Sequence, residues 1–253
     1  MNNILVINNN VCDIENEYIS ISNNEIIFKK SCDYNIFYKN SNCFDIEIKI
    51  LDNVYVKLFE YMCDLEVNSN IVYDISDNGS LYLYKFYCNE NVNENIIVNL
   101  NGYMSRFNYY FSNICNNNEK YNLVINHNNS NSISNISNKS ICLDNACIDF
   151  NIDTIVDKGN ICCVMNQDTR IVNFGENKSS IKPNMYISED DVEARHSSVI
   201  GNFNEDEVFY LMTRGIDYNN AIKLLVKGYI FSNLVVDMDK RSKILNVINK
   251  YWR

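Results

Sequence analysis

Pro183-Asn-Met-Tyr-Ile-Ser-Glu-Asp-Asp-Val-Glu-Ala-Arg-His196-Ser-Ser-Val-Ile-Gly201, followed closely by Phe209-Tyr-Leu-Met-Thr-Arg214-Gly-Ile216, is where the pattern of this chain turns from strand-like to helical. The stretch holds the only proline and one of the two histidines in 253 residues. Before it come short apolar runs such as Ile4–Ile7, Tyr18–Ile21, Ile26–Phe28, Ile46–Ile50, Val54–Val56, Leu81–Tyr84, Ile96–Leu100, Leu123–Ile125 and Ile161–Val164. Each is β-branched or aromatic and bounded by Asn, Asp, Ser or Gly, which predicts strands. Corners recur about every 8–12 residues, the rhythm of a sandwich, a barrel or a β-helix, and spacing alone leaves all three open. Asn tolerates left-handed backbone, so Asn corners suit a coiled parallel sheet, whereas hairpins lean on Gly. Segment 126–140 is low in complexity, and it reads as polar coils with Ile133, Ile136, Ile141 and Leu143 turned inward.

After Gly201 the spacing becomes helical. Asn204 is a good N-cap with Glu207 at the third helical position, and Glu205 and Asp206 add negative charge at the positive end of the dipole. Val208, Leu211 and Met212 form an apolar face, Arg214 falls in the last turn to meet the closing carbonyls, and Gly215 is the natural C′ residue. Asp217 caps a second helix with Ala221, Leu224, Leu225, Gly228 and Tyr229 along one face. A third starts near Asp239, with Ile244, Leu245, Ile248, Tyr251 and Trp252 on one side. These helices are too few for a bundle and must pack on the β body or on another protein. The chain therefore divides into a β region, 1–200, and a helical region, 201–253.

The formal net charge of −10, without a Lys/Arg cluster, argues against nucleic acid as a partner. No apolar run is long enough to cross a bilayer, and Met1–Asn8 lacks the basic start and apolar run of an export signal. A soluble cytoplasmic protein is expected. The ten Cys show no CxxC and no metal-type spacing, which predicts reduced, mostly buried thiols, with Cys162 and Cys163 on opposite faces of a strand. Asn is abundant and Ala occurs only at 146, 194 and 221, as AT-rich codons produce. On that reading the sequons at Asn128, Asn135, Asn138 and Asn177 arise by chance.

Asp191-Val-Glu-Ala-Arg-His196-Ser-Ser-Val-Ile-Gly201, then Asp206-Glu-Val-Phe209-Tyr210-Leu-Met-Thr-Arg214-Gly215-Ile216, resembles the C-terminal core of the SufB/SufD family of iron–sulfur cluster assembly proteins. The family pattern is a strand ending in Val-x-x-x-His-Gly-Ala-Thr, then Leu-Phe-Tyr-Leu-x-x-Arg-Gly-Ile and a helix. Ala221, Leu224, Leu225, Gly228 and Phe231 stand where that helix has its apolar positions. Gln167-Asp168-Thr-Arg-Ile-Val-Asn-Phe and Pro183-x-Met185-x-Ile187 fit the preceding coils. The resemblance is carried by 167–231 and extends more loosely over 105–166, through Ser105-Arg106-Phe-Asn-Tyr-Tyr and His127.

The resemblance implies a right-handed parallel β-helix with a shortened N-terminal part and a small helical C-terminal domain. It implies a non-enzymatic scaffold in a complex with a SufB-type subunit, or a second copy of itself, and the ATPase SufC. Phe209, Tyr210, Arg214, Leu224, Leu225, Tyr229 and Phe231 are then the ATPase-docking residues. No cofactor is held stably, and an iron–sulfur cluster sits transiently at the interface with the SufB-type subunit. SufB-type chains carry a Cys after the Gln of the preceding coil and a Glu directly after the motif His. Here those positions are Asp168 and Ser197, which is similar to SufD. Ser197-Ser198-Val199 replaces the usual Gly-Ala-Thr, and Ala194 replaces a Cys.

His196 has two readings, an iron or cluster ligand at a subunit interface or an imidazole hydrogen-bonded at a strand end. His127 and Asp168 read as polar corner residues, with iron ligation by the Asp168 carboxylate the second option. Cys162 and Cys163 read as packing thiols, since Lys158 is the only basic neighbour in sequence. Tyr229, Phe231, Tyr251 and Trp252 form a candidate aromatic surface. Two other classes remain open. One is a β-helical carbohydrate-active enzyme, which needs paired carboxylates on successive coils. The other is a divergent module that only binds the ATPase.

Overall fold

The computed structural model describes residues 2–7, 10–11, 14–39, 43–176 and 178–252, so Cys12 and the sequon at Asn177 lie outside the described residues. The N-terminal strands are β1 (Asn2–Ile7), β2 (Asn10–Val11), β3 (Ile14–Glu15), β4 (Ile19–Ser22), β5 (Glu25–Phe28), β6 (Cys32–Lys39) and β7 (Cys43–Ile50). Then follow β8 (Tyr55–Cys63), β9 (Glu66–Ile75), β10 (Ser80–Cys88), β11 (Asn91–Leu100), β12 (Arg106–Cys115) and β13 (Asn118–His127). The last strands are β14 (Ile133–Cys142), β15 (Cys147–Val156), β16 (Cys163–Asn173), β17 (Ser180–Ile187) and β18 (Val192–Gly201). Three helices close the chain, α1 (Glu205–Thr213), α2 (Tyr218–Phe231) and α3 (Met238–Tyr251).

Alternate strands join alternate sheets. One runs β18-β16-β14-β12-β10-β8-β6-β1-β2 and the other β17-β15-β13-β11-β9-β7-β5-β4-β3. From β5 onward every pairing is parallel, so the chain winds into a solenoid of about six turns. The N-terminal end departs from the coil: β3, β4 and β5 are antiparallel, and the β4–β5 turn has Asn23 and Asn24 both at positive φ. Two successive left-handed residues match the twist of a hairpin.

Side chains alternate, and in-register pairing stacks the inward ones into columns. Ile46, Ile71, Ile96, Leu123 and Ile152 lie one above another, as do Ile50, Ile75, Leu100, His127 and Val156. Each fully buried Ile or Leu contributes roughly 1.5–3 kcal/mol. His127 occupies an apolar column rather than the polar corner expected of it. Of the four apolar residues expected inward after it, Ile136 faces the interior; Ile141 and Leu143 face the helices and Ile133 is half-buried.

The corners explain the asparagines. Asn53, Asn78, Met104, Asn131 and Cys162 all have φ between 52° and 60° and mark one corner on successive coils. Each donates its N–H to the carbonyl one coil on: Asn53 to Asp77 at 2.8 Å, Asn78 to Tyr103 at 2.9 Å, Asn131 to Ile161 at 2.9 Å. Cys162 therefore lies in the turn, in a place other coils give mostly to Asn, and only Cys163 enters the strand. Outside the solenoid the amides form ladders. Asn95 donates to Asn70, Asn122 to Asn95 and Asn126 to Asn99, while Asn166 donates to Asn135 and Asn135 to Asn108, at 2.8–2.9 Å. Stacked amides of this kind satisfy each other along the coil axis, so the Asn richness has a structural role beyond codon bias.

The helices lie across the outer face of the first sheet. Val208, Ala221, Ile222, Val226, Ile230, Ile244 and Ile248 pack on Phe59, Tyr84, Phe86, Ile114 and Ile141. The second helix thus buries Ala221, Ile222, Val226 and Ile230, leaving Leu224 exposed, and α3 is capped by Asp237 rather than Asp239. Asn204 and Asp217 cap their helices as expected. The seat is pinned by Asn233, whose Nδ2 donates to the carbonyls of Phe111 and Ser137 at 2.8 and 2.9 Å and whose Oδ1 accepts from Ser137 Oγ at 2.7 Å. Asn233→Ala is expected to cost about 2 kcal/mol, because two carbonyls and a hydroxyl lose their partner in a buried place. Urea unfolding checks this, and a loss under about 0.5 kcal/mol contradicts it.

Candidate functional site

The solenoid ends without a cap. Strands β17 and β18 are the last of their sheets, and from Glu193 to Ile200 every side chain is exposed. Pro183, the chain's only proline, lies in the edge strand β17, where a missing N–H is tolerated. It blunts that edge, whereas β18 has no such break and presents an open parallel edge. His196 pairs in register with Gln167, which is buried and donates to Thr154 Oγ1 at 2.7 Å across the interior. His196 therefore shares the inward face with Gln167, but at the open mouth, where it is exposed. Met185 and Val192 pack behind it on buried Val156, Cys163 and Met165. Val199, Ile200 and Tyr186 are 42–56% exposed on the same end.

Asp168 lies mid-strand in β16 on the outer face, not at a corner, in register with Ser137 and Ser197. It is exposed and electrostatically coupled to Lys139. Among the described residues no three His, Cys, Asp or Glu side chains converge as a metal site. Cys163 bonds the carbonyls of Asn160 and Ile161, and Ser132 Oγ lies 3.3 Å from it. Ser132 Oγ and Ser134 Oγ also flank His127, at 2.7 Å from Nδ1 and 2.9 Å from Nε2. Burial holds the His127 imidazole neutral, with its pKa lowered to about 4.

The helices form a second surface. Phe209, Tyr210 and Leu224 are exposed, and the Arg214 guanidinium stacks on the Tyr210 ring and donates to its hydroxyl at 3.2 Å instead of meeting the helix carbonyls. Leu225, Tyr229, Phe231, Tyr251 and Trp252 pack into the seat on the solenoid rather than forming an aromatic outer face. Tyr229 donates to the Arg170 carbonyl at 2.6 Å, and Arg241 stacks on Phe231. A groove of about 390 Å³ runs between the solenoid and α1–α2, lined by Phe174, Phe203, Val208, Phe209, Met212 and Tyr218. Among the described residues no helix is long and apolar enough to cross a membrane.

Inside the solenoid lies a charged group that reading the sequence did not single out. Lys85 Nζ is 3.0 Å from Glu60 Oε2 and 3.0 Å from Glu94 Oε1, all three fully buried. Tyr73 donates to Glu60 at 3.2 Å, and the Tyr87 hydroxyl lies 3.1 Å from Glu60 and 3.0 Å from Glu94. Burial pushes Glu94 above the ordinary carboxylate range against the pull of Lys85. For Lys85 burial opposes the charge, but the two carboxylates outweigh it and raise its pKa. A coil further on, Glu119 accepts from Asn113 Nδ2 and from Tyr121 at 2.9 Å, and burial raises its pKa to about 8. The signal was present in the alternation: Glu60, Lys85 and Glu94 fall on the apolar face of their strands, and Glu60 pairs in register with Lys85.

On the outer face of the second sheet, carboxylates are taken up by amides and hydroxyls. Asn70 donates to Asp45, Asn99 to Asp74, Ser180 to Asp149 and Asn184 to Asp153.

Comparison with known proteins gives one family match: a model described as SUF system FeS cluster assembly, SufBD core domain, over residues 69–229. It reaches further toward the N-terminus than the motif resemblance. Among relatives, protein ABCI7, chloroplastic, of Arabidopsis thaliana is 40% identical over 50 residues, 20% of this chain and 10% of that protein. The iron–sulfur cluster assembly protein SufD of Bacillus subtilis is 32% identical over 65 residues, 25% of this chain and 15% of that one. SufD of Plasmodium berghei is 31% identical over 83 residues, 32% of this chain and 6% of that one. The matches thus span no more than about a seventh of these relatives' lengths.

Proposed function

Because the chain belongs to the SufBD core family of the SUF iron–sulfur cluster assembly system, we propose that it is a SufD-like scaffold subunit without catalysis of its own. It joins a SufB-type subunit, or a second copy of itself, through the open end of the solenoid. It holds a SufC-type ATPase on its helices. What carries this reading is the pairing of an uncapped β end with an exposed apolar helical surface in one chain of this family. Asp168 and Ser197, standing where SufB-type chains carry Cys and Glu, support the SufD side.

The cluster is cargo. From this chain His196 offers one imidazole nitrogen at the mouth, a ligand type that iron accepts. The thiolates that would complete such a site come from the partner. ATP-driven movement of the ATPase shifts the two scaffold subunits against each other and opens that interface.

The test is co-purification with a SufC-type ATPase. Deleting the helices would bare the sheet face beneath them, so point changes are better. Phe209→Asp and Leu224→Asp alter exposed side chains and are expected to weaken binding about 30-fold or more, as loss of an interface anchor does, with helical circular dichroism unchanged. Undiminished binding by both variants removes the docking reading. Iron–sulfur absorption of the complex with and without His196→Ala then separates an active scaffold, which loses signal, from a module that only binds the ATPase.

A further inference from the structure

Cys63 ends β8 and Cys88 ends β10, and the two are partners in register. Neighbouring strands run about 4.8 Å apart, and in-register side chains leave the sheet on one face. That falls within the roughly 4.4–6.8 Å between Cα atoms that a disulfide spans. The two thiols are hydrogen-bonded to each other. Cys88 Sγ also donates to the Tyr251 hydroxyl at 3.4 Å, and Asn116 Nδ2 donates to the same oxygen at 2.7 Å. Beside them Lys250 pairs with Asp64 at 3.0 Å. This corner is thus where the last residue of α3 is tied to the solenoid.

Cys115 and Cys142 repeat the arrangement two strands further, in register and hydrogen-bonded. Both are buried, whereas Cys63 is only half-buried. The same geometry thus occurs twice, and solvent reaches one sulfur of one pair. The Cys63 hydrogen bond lowers the pKa of Cys88 against its burial, with Tyr251 helping, and the same bond together with burial raises that of Cys63, so the pair ionises at Cys88. When Cys88 ionises, the Tyr251 hydroxyl proton turns toward its sulfur.

We propose that Cys63 and Cys88 form a dithiol–disulfide couple that exchanges with low-molecular-weight disulfides and sets how firmly the end of α3 is held. In the ionised pair the charge is on Cys88, and Cys63 donates to it while its own sulfur is reached by solvent. Cys63 hands its proton to the Cys88 thiolate as it attacks one sulfur of R–S–S–R; a Cys63–S–S–R bond forms, the S–S bond of R–S–S–R breaks, and R–S⁻ leaves and takes a proton from solvent. Cys88 then attacks the Cys63 sulfur and gives that proton to the departing sulfur. The Cys63–Cys88 bond forms and the second R–S leaves as R–SH. Two thiols lose two electrons and two protons, and one R–S–S–R becomes two R–SH. The oxidised pair has no S–H to give Tyr251, so one tie of α3 is lost.

The test exposes the full folded chain to oxidised glutathione, quenches with acid and alkylating reagent, and maps unreduced peptides by mass. Exposed Cys162 reports that the reagent is active. A peptide linked through Cys63 and Cys88 is expected, with Cys115 and Cys142 still alkylated. Cys88→Ser is expected to hold glutathione on Cys63, because nothing resolves the mixed disulfide. Amide exchange over 244–252 is expected to rise about threefold on oxidation, the scale of one weak hydrogen bond, with β12 and β14 unchanged. Glutathione persisting on Cys63 of the unaltered chain, or oxidation of Cys115–Cys142 in its place, overturns the couple. A linked pair with unchanged exchange over 244–252 overturns its hold on α3.

Discussion

Lys85→Met is expected to destabilise the protein by about 3–5 kcal/mol, the usual result of removing one partner from a buried ionic group. The substitution keeps most of the side-chain volume, so the loss is electrostatic. It leaves Glu60 and Glu94 facing each other in the interior, where Lys85 now stands between them at 3.0 Å from each. Tyr73 and Tyr87 supply neutral donors only, and Tyr87 has one proton for two carboxylates. Neutralising the rest of the group reverses the effect: Glu60→Gln and Glu94→Gln together with Lys85→Met are expected to recover at least half of the loss. Denaturant midpoints of the single and triple variants decide it, and a single variant within about 1 kcal/mol of the parent refutes the account.

The second large effect is a dependence on pH. Glu119 has a folded pKa of about 8 against an ordinary 4.5, raised by burial. The folded state therefore binds a proton more tightly than the unfolded one, and this group's contribution is whole below 4.5 and lost as pH rises to about 8. At about 1.4 kcal/mol per unit the full loss approaches 5 kcal/mol. His127 works oppositely: its folded pKa of about 4 lies below the ordinary 6.5, so its contribution is whole above 6.5 and lost as pH falls to 4. The two slopes cancel between about 4.5 and 6.5, and above 6.5 that of Glu119 emerges, with Glu94 adding in the same direction. Stability is expected to fall by about 2 kcal/mol from pH 6.5 to 8.5, and Glu119→Gln to abolish most of that fall. The variant also suits the site, because Glu119 Oε1 and Asn113 Oδ1 lack partners and an amide brings donors. Equal slopes for parent and variant over that range contradict the assignment.

The coil and the helices were legible because each rests on a local rule. Period-two runs between Asn corners gave the strands, and Asn204 and Asp217 marked two helix starts. The contents of the interior were not. Ser134, Asn138 and Ser140 point inward in β14, so counting apolar residues misassigned Ile141. The Glu60–Lys85–Glu94 group becomes visible only when alternation is combined with the 25-residue step between Glu60 and Lys85, which needs the register. For the candidate site, His196 was found from its motif, and its openness followed from β18 being last. The roles of Tyr229 and Phe231 were hidden because one helix has two apolar stripes, and spacing alone does not say which one the sheet covers.

The uncovered final coil has a dynamic consequence. A solenoid behaves as a one-dimensional stack, in which each turn is stabilised chiefly by its neighbours. The helical layer straddles the middle turns, with Lys243 over Phe37 at one extreme and Tyr229 on the Arg170 carbonyl at the other. The β17–β18 turn lies beyond that clamp with a neighbour on one side only. It is therefore prone to fray, and whatever stacks upon it supplies the missing nearest-neighbour energy. Ordering of residues 180–201 and capture of that neighbour are one thermodynamic event, so amide protection there doubles as a gauge of occupancy.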